Sequence, residues 1–124
     1  EGYRRAMTGS GLEVRIIETL PDIEDAYLVI AKMLKEDDIP DAFFATGDRM
    51  AIGCLRALKE FDPGLLKKVR IIGFDNIYWS EMETPGLSTV DIPKVQMGAE
   101  AIKLLLKQIN DTRPPSRRSA CLQD

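Results

Sequence analysis

The chain has 124 residues, 44% hydrophobic and 30% charged, a mixture that suits one compact globular domain and does not comfortably hold two. A net charge of -3 argues against a nucleic-acid surface spread over the whole chain. Histidine is absent, so there is no Ser–His–Asp triad, no Cys–His pair and no ordinary zinc site.

In chain order, Glu1-Gly2-Tyr3-Arg4-Arg5-Ala6-Met7 reads as the inside of a helix, and the sequence is therefore expected to be a piece of a longer chain. Gly9-Ser10-Gly11 stops that helix. The β-branched run Val14-Arg15-Ile16-Ile17 predicts a first strand. Ile23, Ala26, Tyr27, Ile30 and Leu34 recur at helical spacing, with acidic residues in the first turn and Asp37-Asp38 and Pro40 at the close. Ala42-Phe43-Phe44-Ala45 is a short apolar run of the kind buried on both faces of a sheet.

Asp48 fits the N-cap of the next helix, which carries Ala51, Cys54, Leu55, Leu58 and Phe61 on one face. Cys54 is expected to be a buried free thiol, and with Cys121 far away the reading is a reducing, cytoplasmic setting. Pro63-Gly64 breaks the helix, and Val69-Arg70-Ile71-Ile72 is a strand running into Gly73-Phe74-Asp75-Asn76. A loop with Tyr78, Trp79 and Met82 leads to Pro85-Gly86 and a short strand, Leu87-Ser88-Thr89-Val90. The last helix, about Lys94 to Ile109, is apolar over a wide arc: Met97, Ala101, Ile102, Leu104, Leu105, Leu106 and Ile109. Arg113, Arg117 and Arg118 read as a solvated tail. No run is long enough to span a bilayer and no signal-peptide pattern is seen. Strands alternating with helices predict an α/β fold, a parallel sheet with helices on both faces.

In such sheets ligands bind at the carboxyl ends of the strands. Those ends are Glu18-Thr19-Leu20, Thr46-Gly47-Asp48 and Gly73-Phe74-Asp75-Asn76, each delivering a carboxylate. Carboxylates and amides beside an apolar wall of Leu20 and Phe74 suit the hydroxyl edge and C–H face of a sugar. The plainer alternatives are a solvated Glu18 and an Asp48 that only caps its helix. Asp75 stands apart, because it follows a buried strand where an unpartnered charge is costly. No dinucleotide fingerprint or phosphate-loop lysine is present, and no cofactor or metal is expected. Tyr78, Trp79 and Met82 could contact a ligand, pack internally or form a protein interface, and large apolar residues in a loop between strands favour packing or interface.

Several stretches together resemble the lactose/galactose-repressor (LacI/GalR) family of transcriptional regulators. They are Gly2-Tyr3-Arg4-Arg5-Ala6-Met7, the run from Pro40 through Thr46-Gly47-Asp48 to Gly53, Val69 to Ile77 with its Gly73-Phe74-Asp75-Asn76, Pro85-Gly86-Leu87-Ser88-Thr89-Val90, and Gly98, Ala101, Leu104 and Leu105 in the last helix. The resemblance implies a truncated periplasmic-binding-protein-like lobe with residues 1–91 as the effector-binding C-terminal lobe. It further implies a crossover helix, 92–112, belonging to a second lobe, and a tail, 113–124. The implied protein is not an enzyme. It is a homodimeric sensor of a small effector of the sugar or nucleobase class, reaching DNA only through a helix-turn-helix outside this chain and needing no membrane. Asp75 matches the effector-contacting aspartate, Leu20 stands where an aromatic often stacks on the ligand, and Gly47 where asparagine is common; Asp48 completes the candidate site. Ile52, Leu55, Trp79 and Met82 are the candidate dimer face. A last helix without its lobe is expected to seek a neighbouring chain, giving a domain-swapped oligomer. The competing readings are a periplasmic sugar receptor and an enzyme using Asp48 and Asp75 as acid and base or as magnesium ligands.

Overall fold

A computed structural model describes residues 1–83 and 85–110. Its centre is a parallel sheet of three strands in the order β1-β2-β3, where β1 is Ala42–Phe44, β2 is Arg70–Asp75 and β3 is Ser88–Asp91. Phe43 lies opposite Ile71 and Phe44 opposite Ile72 across the first pair; Gly73 faces Thr89 and Asp75 faces Asp91 across the second. The helices are α1 (Gly2–Gly9), α2 (Ile23–Lys35), α3 (Asp48–Phe61), α4 (Tyr78–Met82) and α5 (Lys94–Asn110). A short 3-10 turn, Pro63–Lys67, links α3 to β2.

The local signals explain these bounds. Asp22 caps α2 by accepting the Asp25 N–H at 2.8 Å, Glu24 and Asp25 occupy the first turn, and Lys32 and Lys35 the last, as the helix dipole prefers. Asp62 ends α3 and accepts the Gly64 N–H at 2.8 Å to start the 3-10 turn. Side chains alternate along a strand, so Phe43 and Ile71 face one way, and there they meet α2 and α3. The core consists of Ile30, Met33 and Leu34 from α2, Phe43, Cys54, Ala57 and Leu58 from α3 and its preceding strand, and Val69. Burying side chains of this size is worth about 1.5–3 kcal/mol each. The other sheet face carries Phe44, Ile72 and Val90, which keep 40–47% of their surface exposed. Neither α1 nor α5 buries a residue.

Two expectations about elements are corrected. Val14–Ile17 joins no strand of the sheet. Strand formation needs a ladder partner, and this segment is held instead by side chains: Tyr3 donates to the Arg15 carbonyl at 3.0 Å, Arg15 pairs with Asp38 at 2.5 Å, and Ile17 packs on the core. The segment read as a loop at Tyr78 to Met82 is the helix α4. Arg113, Arg117, Arg118 and Cys121 lie outside the described residues, as does the proposed tail.

Candidate functional site

The carboxyl ends of β1 and β2, together with the segment before α2, meet at one rim. The Thr19 hydroxyl lies 3.3 Å from Met50 Sδ. A Cβ placed on Gly47 would sit 3.6 Å from Met50 Cε and 3.8 Å from Asp75 Oδ2, so Thr19, Met50, Gly47 and Asp75 form one continuous ridge. Leu20 stands beside it, 62% exposed, its N–H donating to Asp25 Oδ2 at 2.7 Å. Gly47 N-caps α3 in extended backbone, leaving the rim open where a side chain would stand. Nothing in the sequence around Met50 distinguishes it, and only the first turn of α3 brings it to the rim.

Asp75 is half-buried, and among the described residues its carboxylate makes no hydrogen bond or ion pair. Its φ is 103° and that of Asn76 is 48°, two consecutive non-glycine residues in the left-handed region. Such backbone costs roughly 1–3 kcal/mol per residue and persists only where its surroundings enforce it. Asp and Asn are the residue types that tolerate it best.

Asp91, opposite Asp75 in the sheet, adds a second rim carboxylate. The Lys94 ammonium donates to it at 2.9 Å and the Asn76 side chain donates as well, so its pKa is held below the ordinary 3.8.

The structure corrects the reading of Asp48. Its side chain is 1% exposed and points inward, away from the rim. Oδ2 accepts the Ile77 N–H at 2.8 Å and lies 3.1 Å from the Ser80 hydroxyl; Oδ1 accepts the Thr89 hydroxyl at 2.5 Å. The carboxylate is therefore neither a direct ligand contact nor the helix cap, a place taken by Gly47 without a side-chain bond. Hydrogen bonds to a charged group are worth about 1.5–3 kcal/mol each, enough to draw the side chain away from its own helix end. An acid–base or magnesium pair of Asp48 with Asp75 fails on the same geometry. The signal that could have been read is Gly73: a Cβ there would collide with Asp48 Oδ1, so this glycine makes room for the carboxylate.

The candidate dimer face divides in two. Ile52 and Leu55 are 0% and 4% exposed, consumed by the chain's own core, and cannot reach a partner. Trp79 and Met82 on α4 are 60% and 68% exposed, with Tyr78 beside them. Cys54 is buried as expected, and desolvation pushes its thiol up to about 11. Among the described residues no group of three or more Cys, Asp or Glu could hold a metal ion, and no helix is long and apolar enough to cross a membrane.

Residues 1–123 match the model of the periplasmic binding protein-like domain. The chain is 35% identical over 114 residues to the HTH-type transcriptional repressor PurR of Pasteurella multocida, covering 90% of this chain and 34% of that protein. It is 37% identical over 113 residues to the catabolite control protein A of Priestia megaterium, covering 89% and 34%. A LacI family transcriptional regulator from Enterococcus faecium, solved with bound ribose, superposes with a TM-score of 0.74 at 30% identity, covering 88% of this chain and 41% of the other. The chain thus spans about a third of the length of the curated relatives it matches.

Proposed function

The chain belongs to the periplasmic binding protein-like domain family, with LacI-type transcriptional repressors among its relatives, and on that premise we propose that it is the effector-sensing and dimerisation module of such a regulator. The observation that carries this reading is Asp75: a half-buried carboxylate without a partner among the described residues, at the convergence of strand ends where open α/β sheets bind ligands. A carboxylate in that state accepts hydroxyl or N–H donors from a small polar molecule and repels a phosphate.

The effector class is a sugar or nucleobase. Asp75 supplies the acceptor, Leu20 an apolar face, and Gly47 the space for close approach. Met50 joins them as a soft wall. Bound ribose in the Enterococcus faecium relative supports the sugar side of this class. The module works by binding, not by turnover, in a reducing cytoplasm, as a homodimer whose face includes Trp79 and Met82. Residues 1–91 form the effector-binding lobe and the α5 segment crosses toward a second lobe. DNA is contacted through a helix-turn-helix outside this chain.

The test is a thermal-shift screen of sugars and nucleobases on the full-length gene product, repeated with Asp75→Ala. At least one compound of either class is expected to raise the melting temperature, and the variant to lose that response. An unchanged response in the variant would remove Asp75 from the site.

A further inference from the structure

Asp48 cannot touch a ligand, yet it holds the residues that do. The Ile77 N–H donates to its Oδ2 at 2.8 Å. The Asn76 N–H donates to Thr89 Oγ1 at 3.2 Å, and that hydroxyl in turn donates to Asp48 Oδ1 at 2.5 Å. Two consecutive amides of the left-handed turn are therefore fixed on one carboxylate, one directly and one through a single relay. The carboxylate itself is immobile: it starts α3, whose next turn is anchored by the fully buried Ala51 and Ile52, and it sits in the space left by Gly73.

We infer that Asp48 is a positioning residue of the effector rim: with Thr89 it clamps the Asn76 and Ile77 amides and so holds Asp75 in the backbone conformation that presents its carboxylate. Without the clamp, Asp75 and Asn76 relax toward negative φ, and the Asp75 side chain leaves the ridge formed with Gly47 and Met50. The clamp acts on this turn alone. Its role in sensing rests on the reading of Asp75 as an effector contact.

The experiment compares this chain with Asp48→Asn, Thr89→Val and Thr89→Ser by NMR, well below the melting transition of each. Amide exchange is measured at Asn76 and Ile77, and the HN–Hα coupling, which reports φ, at Asp75 and Asn76. Asp48→Asn removes one of the two acceptor oxygens, and Thr89→Val removes the relay at nearly constant shape. Either is expected to speed exchange of the amide it serves by about tenfold, the worth of one hydrogen bond, and to shift both couplings away from their left-handed values. Thr89→Ser keeps the hydroxyl and is expected to behave as the parent. Variants that melt earlier but keep parental exchange and couplings at this turn would reduce Asp48 to a general stabiliser and overturn the inference. Should Asp48→Asn fail to fold, Thr89→Val with its serine control decides alone. Loss of the ligand response in Asp75→Ala with an unmoved turn here would spare the functional reading and sink the clamp. The opposite pair of results would do the reverse.

Discussion

Asp91 shows what neighbours do to a carboxylate that is not buried at all. The donors on it, first Lys94 and then the Asn76 amide, favour the charged form and depress its pKa below 3.8. A depressed folded pKa means that the stabilising contribution is present above the ordinary value and is lost as pH falls through the lowered one. The group is fully exposed, so the global effect is slight and the local one is the measurement. In Lys94→Ala the Asp91 pKa, followed by its carboxyl carbon shift in an NMR titration, is expected to rise toward the ordinary value. An unmoved midpoint would show that Lys94 does not set it. At this scale the sequence distinguishes poorly between carboxylates. Asp48 and Asp75 both follow a strand in the sequence, and the pattern alone places both at the rim. What separates them is the hydroxyl of Thr89 and the missing side chain of Gly73, neither close to Asp48 in the chain.

Elements were legible where one period dominated. The helical spacing of Ile23 to Leu34 and of Ala51 to Phe61, and the apolar runs at β1 and β2, appear where the pattern put them. Val14 to Ile17 failed because β propensity is not a ladder partner, and Tyr78 to Met82 failed because five residues are too short to show a helical period. Ile52 and Leu55 failed differently: an apolar position on a helix reads the same whether its partner is the core or another chain. The junction of α2 and α3 settles that case and carries its own test at Gly53. A Cβ there would meet the Ile23 carbonyl, Ala26 Cβ at 2.9 Å and Tyr27 N at 2.9 Å, most of it backbone that cannot yield. Gly53→Ala is expected to force α2 away from α3 and to destabilise by about 1–3 kcal/mol in urea unfolding. The same change at Gly98 in α5 meets open space and is expected to stabilise by about 0.5–1 kcal/mol through helix propensity. A neutral Gly53→Ala would mean that the two helices are not packed as described.

For the whole molecule, the distribution of exposed apolar side chains is the feature that needs an explanation. One group is Tyr78, Trp79 and Met82 on α4; another is Met97, Ile102, Leu105, Leu106 and Ile109 on α5, with Phe44, Ile72 and Val90 on the open sheet face. Large apolar side chains left exposed in such numbers mark interaction sites in soluble proteins, and a second copy of the chain is the partner that the family reading supplies. The two groups make different dimers. A dimer through α4 desolvates Trp79, the chain's single tryptophan, whereas a swap of α5 leaves it in water. Raising the concentration until light scattering reports a dimer is therefore expected to move the tryptophan emission to shorter wavelength. Met82→Asp, which places a charge beside Trp79 on the same short helix, is expected to keep both the mass and the emission at their monomer values. A dimer that forms with unchanged emission, and that Met82→Asp does not disturb, would remove α4 from the interface and leave the apolar arc of α5 to account for association.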